Sequence, residues 1–390
     1  MVTRNLYEED HEDFRRTVAA FFDKEVVPHQ ERWEEQGIID RSMWTAAAEA
    51  GVIGFSLPEQ YGGGGISDYR FEMIRGEESA KRGLASSTGG WGVSDGIVPG
   101  YLTGFGSEHL QQRYLPGLAA GELIGAIAMT EPGVGSDLQN VATRAVRDGD
   151  DWLISGAKTF ITNGQNCDFV IVVARTDPDA PGAKGTSLFI VDDGTPGFTK
   201  GRKLAKVGLD AQDTSELSFE DVRVPDSQRL GELDKGFIHL MQNLPYERMG
   251  IASGGLAGAR AAFEWTAQYV FSRKAYGATI GDLQNTQFEL ADMEAKIDML
   301  EAFVDRCALA LNDGTLTAVD ASKAKMLGAE LQVEVVTRCL QLHGGYGYML
   351  EYPIGRAFRD SRIQTIYGGT TEVMKHIVGK DIRRRYRQDR

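Results

Sequence analysis

Two short segments in the middle of the chain carry side chains suited to holding a flat, polar cofactor. A glycine-rich turn follows an apolar, strand-like run and carries the hydroxyl groups of Thr130 and Ser136. Further along, Phe160 and Thr162 stand two positions apart. Because alternate residues of a strand face the same side, an aromatic ring and a hydroxyl at this spacing can stack on and hydrogen-bond to one planar ligand. Each segment alone is typical of an ordinary turn, but together they indicate a heteroaromatic cofactor.

The composition limits the classes of protein to consider. The chain has 390 residues, of which 42% are hydrophobic and 25% charged, as is typical of a globular protein with two or three domains. A net charge of −14 argues against a nucleic-acid partner, because such proteins need a basic face to bind phosphate. The three cysteines and six histidines lack the spacing of a disulfide framework or a metal site, so no metal is predicted.

The N-terminal residues and the hydropathy of the chain predict its compartment. Charged, helix-like sequence begins at Tyr7, with neither an apolar signal core nor an arginine- and serine-rich, acid-poor presequence. No apolar run approaches the ~18 residues that a membrane-spanning helix needs. We therefore expect a protein without a membrane span in a bacterial cytoplasm, although a processed protein of an organellar matrix would have the same features.

Hydrophobic periodicity divides the chain into three predicted domains. Residues 1–125 show helical spacing, residues 126–232 contain short β-rich runs separated by turns, and residues 233–390 return to helical spacing in long segments. The last part is typical of an up-and-down helical bundle. No Rossmann fingerprint joins a strand to a helix, so a cofactor is expected in a cleft between domains.

Five motifs together resemble the acyl-CoA dehydrogenase family. They are the stretches Thr130–Asp137, Phe160–Gly164, Arg273–Gly277 with Gln284, Gln341–Gly347 and Tyr367–Thr370. They occur in the family's order and span essentially the whole chain. The resemblance implies an α+β fold with an N-terminal helical domain, a small β-barrel-like middle domain and a C-terminal four-helix bundle. It also implies an FAD cofactor.

The resemblance assigns individual residues to the cofactor. Those expected to contact the flavin ring and its near substituents are Met129, Thr130, Ser136, Phe160 and Thr162. Those expected to hold the diphosphate and adenine side, partly from a neighbouring subunit, are Arg273, Tyr276, Gln284, Gln341, Gly344, Gly345, Thr370 and Glu372. The residue types suit this role, because an arginine fork pairs with phosphate oxygens and glycines let backbone amides approach closely.

The position of the catalytic base needs a separate argument. Many members of the family carry the base as a glutamate directly after the tyrosine of the last motif, but this chain has Gly368 there. A subgroup that includes long-chain and isovaleryl-CoA dehydrogenases carries it in a segment matching Leu244–Met249, which we expect to open the first helix of the bundle. Glu247 is therefore the predicted base, although a glutamate beside an arginine is usually a solvated ion pair. A glutamate introduced at position 368 is expected to replace it in part.

The same resemblance predicts contacts to the substrate. They involve Ser136, Pro245, Arg248, Tyr367, Gly368 and Gly369. Among these, the backbone N–H of Gly368 is expected to donate a hydrogen bond to the thioester oxygen, where charge develops during proton abstraction. Arg248 and Ser136 are expected to touch the CoA portion.

The implied function is FAD-dependent α,β-dehydrogenation of a medium- to long-chain acyl-CoA to the trans-2-enoyl-CoA, as in fatty-acid β-oxidation. Electrons are expected to pass to an electron-transfer flavoprotein, and the assembly is expected to be a homotetramer or a dimer. Two alternatives stay open. One is a flavin oxidase or monooxygenase on the same scaffold, and the other is a non-catalytic partner subunit that binds acyl-CoA.

Overall fold

The structure is a computed structural model that describes residues 4–387, in which helices precede and follow a single large sheet. The first helices are α1 (Glu9–Phe21), α2 (Gln30–Gln36), α3 (Ser42–Glu49), α4 (Tyr69–Lys81), α5 (Ala85–Trp91), α6 (Val98–Phe105) and α7 (Glu108–Ala119). The strands are β1 (Gly125–Ala128), β2 (Arg144–Asp148), β3 (Asp151–Thr162), β4 (Phe169–Arg175), β5 (Thr186–Asp192), β6 (Phe198–Lys203), β7 (Thr214–Pro225) and β8 (Arg229–Leu230). The later helices are α8 (Gly236–Ser272), α9 (Gln284–Asn312), α10 (Ala318–His343), α11 (Pro353–Ser361) and α12 (Thr371–Tyr386), with a hairpin of β9 (Lys274–Ala275) and β10 (Ala278–Thr279) after α8.

The N-terminal helices are short and are held by capping residues and buried tryptophans. The side chain of Asp68 caps α4 and that of Ser107 caps α7, each accepting a backbone N–H that the helix leaves unpaired. Trp33, Trp44 and Trp91 lie in one apolar core beneath these helices. Helix α6 follows a π-helical turn and precedes α7. It is almost entirely apolar and packs against the sheet.

The sheet has the strand order β6–β7–β3–β2–β4–β5–β8, and β1 adds a parallel pairing to β4. Strands β4 and β5 are buried on both faces, which explains their continuous apolar runs. The long pair β3–β7 is antiparallel and is interrupted by a register shift between Lys158 and Ile161. This irregularity lies in the segment that the sequence assigns to the cofactor.

The C-terminal bundle consists of α8, α9, α10 and α12, with the short α11 inserted before α12. Apolar residues of α8, α9 and α10 form one core, in which Met249, Met293 and Val335 are fully buried. Helix α8 begins at Gly236, so the prediction that the segment Leu244–Met249 opens this helix is wrong. Pro245 lies inside the helix, where it removes one backbone hydrogen bond without ending it.

The predicted α+β architecture is confirmed: helices, then a sheet, then a helical bundle. Among residues 4–387, all three cysteines are buried and none forms a disulfide. No helix in this described range is long and apolar enough to cross a membrane.

Candidate active site

A buried ion pair holds the turn after β1 against β3. Glu131 accepts hydrogen bonds from the backbone N–H groups of Ala142 (2.6 Å) and Thr143 (2.8 Å) and from Nζ of Lys158 (2.9 Å). Lys158 also donates to the carbonyl oxygen of Met129 at 3.0 Å. Burial lowers the pKa of Lys158 to about 8, although the carboxylate of Glu131 opposes this shift. The pair therefore fixes the start of the turn that carries Met129.

The aromatic and hydroxyl positions of β3 lie beside this turn. The backbone N–H of Thr159 donates to the carbonyl of Thr130 at 3.0 Å, which joins the strand to the turn. Phe160 adopts a φ of 60° at the register shift and leaves its ring 67% exposed, despite being a large apolar side chain. Thr162 accepts a hydrogen bond from Gln212 at 3.0 Å. An outward-facing ring held by a strained backbone at a β-bulge is typical of a ligand-binding position.

The carboxylate of Glu247 is shielded from solvent and is hydrogen-bonded to a tyrosine. Tyr101 of α6, which is fully buried, donates a hydrogen bond from its hydroxyl to Oε1 of Glu247 at 2.9 Å. Burial raises the pKa of Glu247 to about 7, and the hydrogen bond from Tyr101 and the charge of Arg248 limit the rise. A carboxyl group with a pKa near neutrality is suited to accept a proton at physiological pH.

A cavity of about 270 Å³ lies next to Glu247. Pro99, Gly100 and Thr103 of α6 line one side, and Asn243 and Tyr246 of α8 line the other. A larger cavity of about 460 Å³ elsewhere contains none of the predicted site residues and is lined mostly by charged side chains paired with one another, such as Arg4 with Glu77 and Arg260 with Asp298. The cavity beside Glu247 is therefore the one suited to an acyl chain.

A buried lysine holds the loop that contains Gly368 and Gly369, and a buried arginine lies near it. Lys325 of α10 is fully buried and donates from Nζ to the carbonyl of Gly369 at 2.7 Å. Arg248, only 5% exposed, donates to Ser322 at 3.2 Å. Burial lowers the pKa of Lys325 to about 8, and the nearby charge of Arg248 adds to this shift.

Position 368 is less open to a glutamate than the sequence suggests. Gly368 has a φ of +63°, which disfavours any residue with a side chain. A Cβ atom there would lie 2.2 Å from Cδ1 of Ile251, so that side chain would have to move first. The expectation that a glutamate at position 368 replaces Glu247 in part stays a prediction, and it requires the end of the Ile251 side chain of α8 to move. The hydroxyl of the neighbouring Tyr367 donates to Gln364 at 2.9 Å.

A further group of predicted cofactor residues lies at the other end of α8. The guanidinium of Arg273 lies over the ring of Tyr346, 5.3 Å from its centroid. The remaining members are exposed, namely Tyr276, Gln284, Gln341, Gly344 and Gly345. Thr370 is the N-cap of α12 and accepts a hydrogen bond from the N–H of Val373, and Glu372 lies in the first turn of that helix. Ser136 is also exposed.

Comparison with known proteins identifies the family. The models of the acyl-CoA dehydrogenase N-terminal, middle and C-terminal domains match residues 8–122, 126–222 and 234–382. The chain belongs to the acyl-CoA dehydrogenase family. It is 46% identical to the mitochondrial long-chain specific acyl-CoA dehydrogenase of Sus scrofa, over 97% of this chain and 88% of that protein.

Two solved acyl-CoA dehydrogenase structures extend the comparison. One, from Geobacillus kaustophilus, is 44% identical with a TM-score of 0.95 and covers 97% of this chain and 100% of that chain. The other, a glutaryl-CoA dehydrogenase from Mycobacterium smegmatis in complex with FADH2, is 30% identical with a TM-score of 0.91 and covers 98% of this chain and 96% of that chain. The predictions of the fold, the family and an FAD-dependent enzyme acting on acyl-CoA are confirmed.

The residues of this acyl-CoA dehydrogenase fit the flavin of the family. The exposed ring of Phe160 offers a face for stacking, and the hydroxyl of Thr162 and the backbone of the fixed turn offer hydrogen-bonding groups. Sequence reasoning missed Tyr101, Lys158 and Lys325 as contributors to the site. Tyr101 is 146 positions from Glu247, and no local pattern indicates that the two side chains meet.

Proposed function

We propose that Glu247 is the base that removes the α-proton of the acyl-CoA substrate in this acyl-CoA dehydrogenase. The observation that carries the proposal is the carboxyl group of Glu247 beside the 270 Å³ cavity, with its pKa raised to about 7. Position 368, where many relatives carry the base, holds a glycine instead. FAD, when bound, accepts the β-hydride, so that loss of a proton and a hydride from adjacent carbons gives the trans-2-enoyl-CoA.

Residues of this chain are proposed to prepare the thioester for proton removal. An α-proton is too weakly acidic for a carboxylate unless donors stabilise the enolate-like charge that develops on the thioester oxygen. The backbone N–H of Gly368 is the donor that we propose, and Lys325 fixes the loop through the carbonyl of Gly369. One such donor is typically worth ~3 kcal/mol in the transition state.

Replacing Glu247 with glutamine tests the assignment. Glu247→Gln keeps the shape and the acceptor oxygen but removes the base, so the rate of flavin bleaching by acyl-CoA under anaerobic conditions should fall about 10²- to 10⁴-fold. In the wild type this rate should rise with pH through about 7, because the base must lose its proton first. Stopped-flow absorbance measures both effects.

A variant on the same helix provides the control for this experiment. Glu264→Gln makes the same chemical change at an exposed position of α8 and should bleach like the wild type. Both variants should remain yellow and bind acyl-CoA. Undiminished bleaching by Glu247→Gln would refute the role of Glu247, and a wild-type enzyme that never bleaches would instead favour a non-catalytic acyl-CoA-binding subunit.

Medium- to long-chain fatty acyl-CoA is the substrate class that we propose, within fatty-acid β-oxidation. The cavity beside Glu247 extends between α6 and α8, and Gly100 faces Asn243 across it, where a Cβ atom would come into ordinary contact at 3.8 Å. The relative from Sus scrofa is named for long-chain acyl-CoA. A panel of straight and branched acyl-CoAs, scored by anaerobic bleaching, tests this. A maximum at four carbons or at a branched chain would contradict it.

We propose an electron-transfer flavoprotein as the acceptor, a homotetramer or dimer as the assembly, and a bacterial cytoplasm as the compartment. The family resemblance supports the acceptor and the assembly. A similar enzyme from Geobacillus kaustophilus supports the bacterial compartment. Air exposure after anaerobic reduction tests the acceptor, since rapid reoxidation of the flavin would favour an oxidase.

We also propose functional units at residues 1–125, 126–232 and 233–390, because the three family models begin and end near these limits.

A further inference from the structure

Tyr101 and Glu247 come from different helices and form a buried contact. The hydroxyl of Tyr101 donates to Oε1 of Glu247 at 2.9 Å, and the tyrosine is fully buried. Burial and the adjacent carboxylate raise the pKa of Tyr101 far above its usual value, so the hydroxyl keeps its proton and remains the donor. Among residues 4–387, no other side chain or backbone N–H donates a hydrogen bond to this carboxylate.

The contact affects the two carboxylate oxygens differently. A donor on Oε1 leaves Oε2 as the oxygen able to take up a proton from a ligand in the neighbouring cavity. The ring of Tyr101 is anchored in turn, since it packs near Phe105, which stacks on His239 with 4.3 Å between ring centroids. Rotation of the Glu247 side chain would break this hydrogen bond, so the tyrosine favours one orientation of the carboxylate.

Other titratable groups around the cavity do not duplicate this contact. They are Asp68 at the N-cap of α4, Tyr69 and Glu72 of α4, Asp95 of the π-helical turn before α6, and Tyr246 of α8. Arg248, next to Glu247 in α8, acts on it through its charge. Glu72 and Asp95 are both paired with Arg75, and Arg248 donates to Ser322. Within the described part of the chain, Arg248 is therefore the one cation whose charge acts on Glu247, and it does so without a hydrogen bond to it.

We propose that Tyr101 is a positioning residue for the base: its hydroxyl holds Oε1 of Glu247 so that Oε2 faces the α-carbon, and it favours the ionised form that can accept the proton. This inference rests on the proposed role of Glu247. It assigns to α6 a part in the chemistry beyond lining the acyl cavity.

Tyr101→Phe removes the hydroxyl and keeps the ring. Without its donor, the carboxylate of Glu247 should hold its proton more tightly, so the pH at which bleaching reaches half its maximum should move up by about one to two units. The maximal bleaching rate should also fall about tenfold, because the base is no longer oriented. The KM for acyl-CoA should change little, since the hydroxyl faces Glu247.

Tyr114→Phe provides a matched control. Tyr114 is also buried, and its hydroxyl donates to a carboxylate, Oδ1 of Asp192, at 2.7 Å, but neither residue lines the cavity. Tyr114→Phe should lose thermal stability, as Tyr101→Phe should, but its bleaching rate should depend on pH as in the wild type. A Tyr101→Phe profile that superimposes on the wild type, or a loss of rate that is uniform at every pH, overturns the inference.

A double-mutant cycle separates this inference from the role of Glu247. Thermal unfolding of Tyr101→Phe, Glu247→Gln and the double variant should show coupling between the two changes that is larger at pH 8 than at pH 5, because a charged acceptor strengthens the hydrogen bond. If Glu247→Gln still bleaches at the wild-type rate, the proposed function fails. If Glu247→Gln is inactive but coupling and the pH shift are both absent, only the positioning role of Tyr101 fails.

Discussion

At the scale of single residues, Glu131 and Glu247 show how surroundings assign opposite tasks to the same side chain. Burial raises the pKa of Glu131, but the charge of Lys158 and two backbone N–H donors outweigh this and hold the pKa below its usual value. Glu247 has one hydroxyl donor, and burial prevails, so its pKa rises to about 7. The first glutamate is therefore a permanent anion with a structural role, and the second can exchange a proton.

The raised pKa of Glu247 predicts a stability cost that depends on pH. Folding moves this pKa from its usual 4.5 to about 7, so the native state binds the proton more tightly and stability is lost as pH rises through this range. Glu247→Gln does not titrate. It should therefore be more stable than the wild type at pH 8, by about 3 kcal/mol, and equal to it below about pH 4. Thermal unfolding at the two pH values measures this, with Glu264→Gln as a control that should show no such difference. A wild type more stable than Glu247→Gln at pH 8 would contradict the prediction.

The limits of prediction at this scale follow from sequence separation. The motif residues Thr130, Phe160 and Gly368 were identified because each lies in a short, recognisable stretch. Tyr101 was not, because its only sign of function is a contact with a residue of another helix. Ile251 was missed for the same reason, although its side chain would have to move to admit a glutamate at position 368.

At the scale of elements, Pro245 shows where a local rule fails. Proline is favoured in the first turn of a helix, which agrees with the expectation, drawn from the family resemblance, that the segment Leu244–Met249 opens α8. Helix α8 begins at Gly236 and continues past Pro245. It does so because Leu240, Leu244 and Met249 are buried on its inner side. Tertiary packing outweighs the lost hydrogen bond. Glu247 therefore lies in the fourth turn of α8, well inside the helix.

The buried pair between β3 and the turn after β1 gives a prediction at this scale. Lys158→Met would leave Glu131 charged and buried beside the turn that carries Met129. The loss of unfolding free energy should be about 3–5 kcal/mol, as for other broken buried pairs. Because the turn forms part of the proposed flavin site, the variant should also retain less FAD. Thermal unfolding and the ratio of absorbance at 280 and 450 nm measure the two effects.

An exposed ion pair on α9 and α10 is the comparison for Lys158→Met. Lys296 donates to Glu334 at 2.7 Å, but the two side chains are 38% and 42% exposed, unlike the buried pair. Lys296→Met should cost less than about 1 kcal/mol and leave the FAD content unchanged. Equal losses from the two variants would show that the buried pair does not support the turn.

At the scale of the whole molecule, the order of the three domains was predictable from the sequence, but the pairing of the strands within the sheet was not. The change of hydrophobic period near residue 126 indicates where the sheet begins, because strands and helices repeat differently. The parallel pairing of β1 with β4, which are 44 positions apart at their paired residues Gly125 and Phe169, has no signature in either segment. A backbone hydrogen bond from Thr159 to Thr130 then joins the turn after β1 to β3, which brings together the residues predicted to contact the flavin.

Exposed apolar side chains at one end of the bundle predict how assembly and cofactor binding are linked. Phe271, Tyr276, Leu283 and Phe288 are 43–97% exposed and adjoin the region of Arg273 and Gln284. A cluster of this kind usually marks an interface. Phe288→Glu should therefore lower the molar mass measured by light scattering and, because the proposed diphosphate side is completed across subunits, also reduce FAD retention. Val146→Glu, which places the same charge on an exposed valine of β2, should change neither. A Phe288→Glu protein that loses subunits but keeps its full FAD content would show that one protomer holds the cofactor by itself.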